Sequence, residues 1–249
     1  MTAARRLRRA ETGAAAIAER AAALDWDALA AELDVHGCAA TGVLLQAEEC
    51  ASLSRSYGSD AFFRSRIVMA SHGFGRGEYK YFAYPLPEAV AALRGALYPP
   101  LARIADRWNA AMGIDIGYPA AHPAYLERCR AAGQEKPTPL LLQYEAGDYN
   151  CLHQDIYGEH VFPLQVAFLL SRPGIDFTGG EFVLTEQRPR MQSRAEVVPL
   201  RQGEGVIFPV RHRPVAGTRG TYRVNMRHGV SRLRTGRRHT LGIIFHDAA

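Results

Sequence analysis

At 249 residues and 47% hydrophobic, the chain can bury a large core as one domain, or as one domain with a helical extension. No apolar run reaches the ~18 residues of a membrane span, and the start, Met1 to Arg9, lacks a secretory apolar region. No membrane span is expected, and a cytoplasmic protein is the natural reading. Four cysteines, Cys38, Cys50, Cys129 and Cys151, are scattered without a Cys-x-x-Cys pair, which excludes a disulfide scaffold and reads as reduced thiols.

The Arg-rich start, with arginines at 5, 6, 8 and 9, reads as a flexible basic arm over residues 1–12. Residues 13–33 read as Ala-rich helix, with Asp25 capping a second piece that begins at Trp26. Gly42 to Leu45 reads as a short strand, Ala47 to Tyr57 as a helix, and Arg64 to Met69 as extended chain. Phe74 to Pro87 interleaves glycines with Tyr79, Lys80, Tyr81, Phe82 and Tyr84, a composition that suits a lid stacking on a planar group. An edge strand packing its aromatics inward fits the same residues. From Pro87 to Met112 the pattern is helical, with a break expected at Pro99-Pro100. After Pro139 come short β-rich runs at 140–144, 164–170, 181–184, 196–200, 205–208, 222–226 and 240–245, separated by Gly, Pro or charged turns. Strands at that spacing suggest a sandwich or barrel.

His153-Gln-Asp155 carries the chemistry. Side chains at i and i+2 of a strand share one face, so this imidazole and carboxylate can grip one metal ion. His228 follows 75 residues later. Two histidines and a carboxylate make the facial triad of non-haem Fe(II) sites, which leaves positions open for a cosubstrate and O₂, whereas zinc favours a closed tetrahedral set. His212 is the rival for the third ligand.

Further landmarks follow in order: Tyr144 and Gly147, His153 and Asp155, Gly179-Gly180-Glu181, Gly203 to Pro209, then His228, Val230, Leu233, Gly236 and Arg238. In this pattern the chain resembles the Fe(II)/2-oxoglutarate-dependent dioxygenases, specifically their prolyl-hydroxylase-like branch, over residues 139–247. Counting from His212 instead puts Tyr222 where the arginine belongs, so the motif favours His228. The resemblance implies an α+β fold: a double-stranded β-helix, or jelly roll, over residues 139–249, with the helices of a mainly helical region at 13–138 packed on one sheet. It further implies Fe(II) on His153, Asp155 and His228, 2-oxoglutarate paired with Arg238 and aided by Thr240 and Tyr144, and O₂ as co-reactant.

The substrate is less constrained. Between Arg188 and Arg238, thirteen arginines stand against Glu196 and Glu204, so that stretch is +11 and a chain total of +5 leaves −6 elsewhere. A basic region beside the site suits DNA or RNA. With 28 arginines and two lysines in the chain, base composition of the genome accounts for part of this bias. The Arg-rich run from Phe208 to Pro214 and the segment from Leu241 to Asp247 extend the pattern, and with them the chain resembles a bacterial oxygenase family predicted to repair alkylated nucleic acid oxidatively. Arg76, Tyr79, Lys80 and Tyr81, in a lid spanning 73–87, are the expected substrate contacts. AlkB-like repair enzymes carry a second arginine six residues beyond the first, and here Ile244 holds that position. A protein hydroxylase, acting on prolyl or another side chain, is the second expectation; a non-catalytic metal or nucleic-acid sensor is the third.

Overall fold

The structure, a computed structural model, describes the backbone of residues 3–156, 158–188, 190–218 and 220–249, and side chains from residue 13 onward. The side chains of the expected basic arm lie outside the described residues. The chain runs α1 (Ala3–Ala22), α2 (Trp26–His36), β1 (Ala39–Val43), α3 (Ala47–Ser56), β2 (Phe63–Val68), β3 (Gly75–Arg76), β4 (Glu78–Phe82), α4 (Glu88–Ala111) and α5 (His122–Ala131). It continues through β5 (Leu140–Glu145), β6 (Tyr149–His153), β7 (Leu164–Leu169), β8 (Phe177–Gly179), β9 (Phe182–Gln187), β10 (Arg194–Val198), β11 (Glu204–Pro209), β12 (His212–Gly217), β13 (Gly220–Val230) and β14 (Leu233–Ile243).

Two antiparallel sheets face each other. The larger has the order β1-β11-β7-β14-β5-β4-β2, with β8 beside β14; the smaller has β10-β9-β13-β6-β3, with β12 beside β13. This is the expected jelly roll with helices on one sheet. Strand parity sorts its residues. On β14, Leu241 and Ile243 join α4 in one buried cluster with Leu93, Leu97 and Trp108, while Arg238, Thr240 and Gly242 face the interior of the roll. A second apolar cluster, built on Phe177, Phe182, Leu184, Phe208 and Leu233, fills the space between the sheets.

Asp25 caps α2 as expected, its carboxylate accepting from the Ala28 amide at 3.0 Å. The break expected at Pro99-Pro100 does not occur, and α4 is continuous from Glu88 to Ala111. Each interior proline costs about 3 kcal/mol. Against that, Val90, Leu93, Leu97, Leu101, Ile104 and Trp108 form a stripe at helical spacing, each no more than 6% exposed. Burying such side chains contributes roughly 1.5–3 kcal/mol apiece, which outweighs both prolines. Helix α5 has no counterpart among the sequence expectations, although Pro123 in its first turn is a start signal.

The end of the chain is clasped from below by α4. Arg94, 2% exposed, donates to the carbonyls of Ile244 (2.9 Å), Phe245 (3.1 Å) and His246 (3.0 Å), and to the Asp247 carboxylate (2.7 Å). Tyr84 donates its hydroxyl to the other Asp247 oxygen at 2.8 Å. Nearby, His246 accepts from the Phe162 amide through Nδ1 (3.2 Å), which requires a neutral ring, and His122 Nε2 meets the Phe245 carbonyl at 2.8 Å. Burial first, then the charge of Arg94, pushes both imidazoles down to about 4. Because these folded-state values lie below the unfolded ~6.5, the unfolded chain takes up protons first as pH falls. Stability is therefore complete above pH ~6.5 and lost on going toward 4, by roughly 2 kcal/mol per histidine at pH 5. Thermal unfolding measured at pH 7 and pH 5 should show a lower midpoint at pH 5; an unchanged midpoint would contradict this account.

Candidate active site

Register brings the triad together. In the antiparallel pairing of β13 with β6, His228 stands directly opposite His153, and their ring centroids lie 4.1 Å apart. A bulge follows between His228 and Val230, where Gly229 passes so close to β6 that a Cβ there would meet the Asn150 carbonyl oxygen at 2.7 Å. Asp155 does not share a strand with His153, as the i, i+2 argument expected: β6 stops at His153. The Gln154 side chain takes over the cross-strand bonding, donating to the carbonyls of Met226 (2.9 Å) and Arg211 (3.3 Å), and the chain turns so that Asp155 swings inward.

Asp155 then lies between the two imidazoles. His153 Nε2 is 3.4 Å from Oδ1 and His228 Nε2 is 3.2 Å from Oδ2, and among the described residues these three offer ligand atoms that all fall within 4.8 Å of one another. The Cys151 carbonyl lies 2.8 Å from His153 Nδ1, which aims Nε2 at the shared space. Gln165, buried on β7, donates to Asp155 Oδ2 at 2.8 Å. Burial disfavours the Asp155 carboxylate, but His228 and His153 outweigh it and hold the group well below the usual carboxylate range. Burial also acts against protonated His153, yet the hydrogen bond and charge of Asp155 raise it; burial and the charge of His153 lower His228. His228 itself is wedged against Phe208, ring centroids 4.7 Å apart, which fixes its plane.

The same cavity holds a buried cation. Arg238 is 2% exposed, forms no ion pair among the described residues, and bonds the Thr240 hydroxyl at 2.6 Å. Its guanidinium is pushed down to about 10 by burial, against the pull of Tyr144 and Glu181. Arg238 pairs across the strands with Tyr144, whose ring centroid is 5.6 Å from the guanidinium carbon. Arg238 Nε and the Tyr144 hydroxyl are both buried without a hydrogen-bond partner. A buried arginine with unused donors is suited to a carboxylate guest, since Arg–carboxylate pairing satisfies two donors at once.

The cavity is lined by His153, Asp155, His228, Arg238, Tyr144 and Thr240, together with Tyr79 and Tyr81. The last two sit on β4, opposite Leu142 and Leu140 of β5, with their rings edge-on at 5.4 Å. Residues 78–82 are thus a strand inside the larger sheet between β5 and β2, not a lid. Parity then excludes Lys80, which faces the helices, where its ammonium bonds Asp60 (2.7 Å) and the Tyr57 carbonyl (2.9 Å). Arg76 is on β3 and sits 4.0 Å from Asp148, outside the cavity lining. His212 is on β12, paired with Asn225 at 2.9 Å, and lies apart from the triad.

Several arginines of the basic stretch have structural partners. Arg213, 1% exposed, bonds Glu186 and the carbonyls of Asp34 (2.8 Å) and Val35 (3.3 Å) at the end of α2. Arg188 pairs with Glu186 at 2.7 Å and Arg237 with Glu145 at 2.6 Å. Arg219 lies outside the described residues. Gln165 escaped the sequence reading, although a lone polar residue inside the apolar run Leu164 to Leu170 is a signal in its own right.

Fold and site together are a jelly roll whose interior brings a two-histidine, one-carboxylate cluster into one cavity with a buried arginine. Residues 77–248 match the family described as "Oxygenase, catalysing oxidative methylation of damaged DNA", and the chain belongs to that family. Two Mycobacterium tuberculosis proteins, the uncharacterized proteins MT2286 and Rv2227, are 49% identical over 168 residues, covering 68% of this chain and 72% of theirs. Among solved structures, a 2OG-Fe(II) oxygenase-family oxidoreductase from Burkholderia pseudomallei aligns with a TM-score of 0.54 at 15% identity, over 90% of this chain and 92% of that one. A prolyl-4-hydroxylase from Pseudomonas putida aligns with a TM-score of 0.51 at 15% identity, over 90% and 100%. At these identities the solved structures share the fold with this chain. No helix among the described residues is long and apolar enough to cross a membrane.

Proposed function

We propose that the protein removes methyl groups from alkylated bases of DNA or RNA by Fe(II)- and 2-oxoglutarate-dependent hydroxylation. The observation that carries the reading is the presence, in one cavity, of a two-histidine, one-carboxylate cluster and a buried arginine with unused donors. The donor set fits Fe(II), and the arginine fits the distal carboxylate of 2-oxoglutarate. His153, Asp155 and His228 would hold the metal; Arg238, Thr240 and Tyr144 would hold the cosubstrate.

When bound, these groups supply activation of O₂ and hydroxylation of an N-methyl carbon, so that N–CH₃, O₂ and 2-oxoglutarate become N–H, formaldehyde, succinate and CO₂. The chain's own share is positional. The Cys151 carbonyl and Gln165 fix two of the three ligands, Phe208 fixes the plane of the third, and the walls of Tyr79 and Tyr81 offer aromatic edges and hydroxyls to a planar base flipped out of its stack. The family description, which names damaged DNA, supports a nucleic-acid substrate. The ten-residue spacing from His228 to Arg238 and the apolar Ile244 are the features that favour a protein hydroxylase instead.

Incubation with methylated oligonucleotides and, separately, with a proteome extract tests the reading. Formaldehyde release from the oligonucleotides is the expected result. Addition of one oxygen to a protein side chain, without formaldehyde, would transfer the assignment to protein hydroxylation. Absence of succinate under aerobic Fe(II) conditions would point to a sensor.

A further inference from the structure

A second cavity lies beside the active site, on the far side of Gln154-Asp155-Ile156. Gln154 lines the active-site cavity and bonds the Arg211 carbonyl at 3.3 Å, whereas Ile156 and Arg211 line the second cavity. The two spaces are therefore separated by one turn of chain, and that turn carries a metal-ligating carboxylate. The second cavity is thus a neighbour of whatever occupies the first.

The character of this groove is mixed in a particular way. Met112, Ile114, Tyr118 and Val210 give it an apolar floor, and Ile116 and Ile156, 54% and 47% exposed, stand at its rim. Arg128, Arg211, His160 and His212 also line it, against one acid, Glu159. Arg223 is close by, donating to the Met112 carbonyl at 2.8 Å. In the lining, the fully buried Tyr125 has a hydroxyl with no hydrogen-bond partner.

We infer that this groove holds a single strand of nucleic acid next to the base being oxidised, with Arg211 and Arg128 meeting phosphates and the isoleucines and Tyr118 contacting a flanking base. The inference rests on the nucleic-acid reading above. A single strand presents phosphates and base faces together, which matches cations spaced around an apolar floor; a duplex shows its phosphates and hides the faces. An acidic peptide would engage the arginines but leave the apolar floor unused.

Arg211→Ala is the first test variant, because the Arg211 side chain is exposed and has no hydrogen bond or ion pair to a described residue. Ile156→Asp is the second. Binding of a fluorescent oligothymidylate of about 12 nucleotides, within the usual ~4–16-nucleotide site size, is followed by anisotropy at several salt concentrations without added iron. Arg211→Ala should weaken binding about 5- to 10-fold and lower the slope of log K against log salt by about 0.7, the single-strand value for one phosphate contact. Ile156→Asp should weaken binding while leaving thermal stability in place, and Arg201→Ala, a surface control away from the groove, should change nothing. An unchanged slope in Arg211→Ala, equal affinity for a duplex of the same length, or displacement of the strand by an acidic peptide would each overturn the groove assignment. Formaldehyde release by the wild type with an unchanged Arg211→Ala slope defeats only the groove; strand binding that depends on Arg211, with no formaldehyde from any nucleic acid, defeats the demethylation reading and leaves the groove standing.

Discussion

Asp155→Ala is expected to abolish turnover and release the metal. The carboxylate is the only anionic member of the cluster, and it stands between two imidazoles at 3.4 and 3.2 Å. Removing it leaves two neutral donors and no charge to offset a divalent cation. Loss of an outer partner of a metal ligand already costs about 10- to 100-fold in affinity, and loss of the ligand itself should exceed that. Gln165→Leu supplies the graded comparison: it keeps the carboxylate but removes one hydrogen-bond donor to its Oδ2, so affinity for Fe(II) or Mn(II) should fall by about 10- to 100-fold while the fold survives. Titration calorimetry with Mn(II) reads both without relying on activity. Retained 2-oxoglutarate decarboxylation in Asp155→Ala would remove Asp155 from the site.

Arg94→Ala should be strongly destabilising although it lies outside the site. The Arg94–Asp247 pair is 2% and 0% exposed at its side chains, so the substitution strands a buried carboxylate and unbinds three backbone carbonyls. Breaking a buried pair from one side costs about 3–5 kcal/mol, which in a chain of this size lowers the melting temperature by roughly 6–20 °C. Replacing both partners, Arg94→Met with Asp247→Leu, should recover much of that loss, because the penalty arises from the unpaired charge. A drop of less than about 1 kcal/mol in Arg94→Ala would show that the clasp contributes little. The same change should raise the requirement for 2-oxoglutarate, since Ile244, whose carbonyl Arg94 holds, lines the cavity just beyond Arg238 and Thr240.

How much of this was legible in the sequence depended on the range of the interaction. Short β-rich runs between turns were readable as a sandwich or barrel, because strand and turn signals are local; the jelly roll and its helical layer followed from the motif resemblance. His153, Asp155, His228 and Arg238 could be picked out as a constellation by spacing, and they line one cavity. Asp155 does not follow His153 along one strand as their spacing suggested: β6 ends at His153, and the convergence depends on Gln154 bonding to β13, a partner 72 residues away. Lys80 was misplaced for a simpler reason. Three consecutive residues of a strand cannot all face one cavity, and composition alone ignored that. The prolines of α4 failed to end it because tertiary burial overrode a local rule. The arginines showed the opposite limit: Arg213 counted toward the basic stretch beside the site, yet Glu186 and the end of α2 enclose it.

The direct opposition of His153 and His228 across β6 and β13 makes the proposed metal centre a gauge of strand alignment. A slip of one residue in either strand would send an imidazole to the outer surface of the smaller sheet, and no side-chain rotation could bring it back. Insertions and deletions should therefore be confined to connections that leave this pairing untouched, whatever substrates the wider family has come to accept. The two imidazoles meet only when β6 pairs with β13, so the cluster is a product of long-range pairing within the smaller sheet and has no counterpart in an unpaired chain.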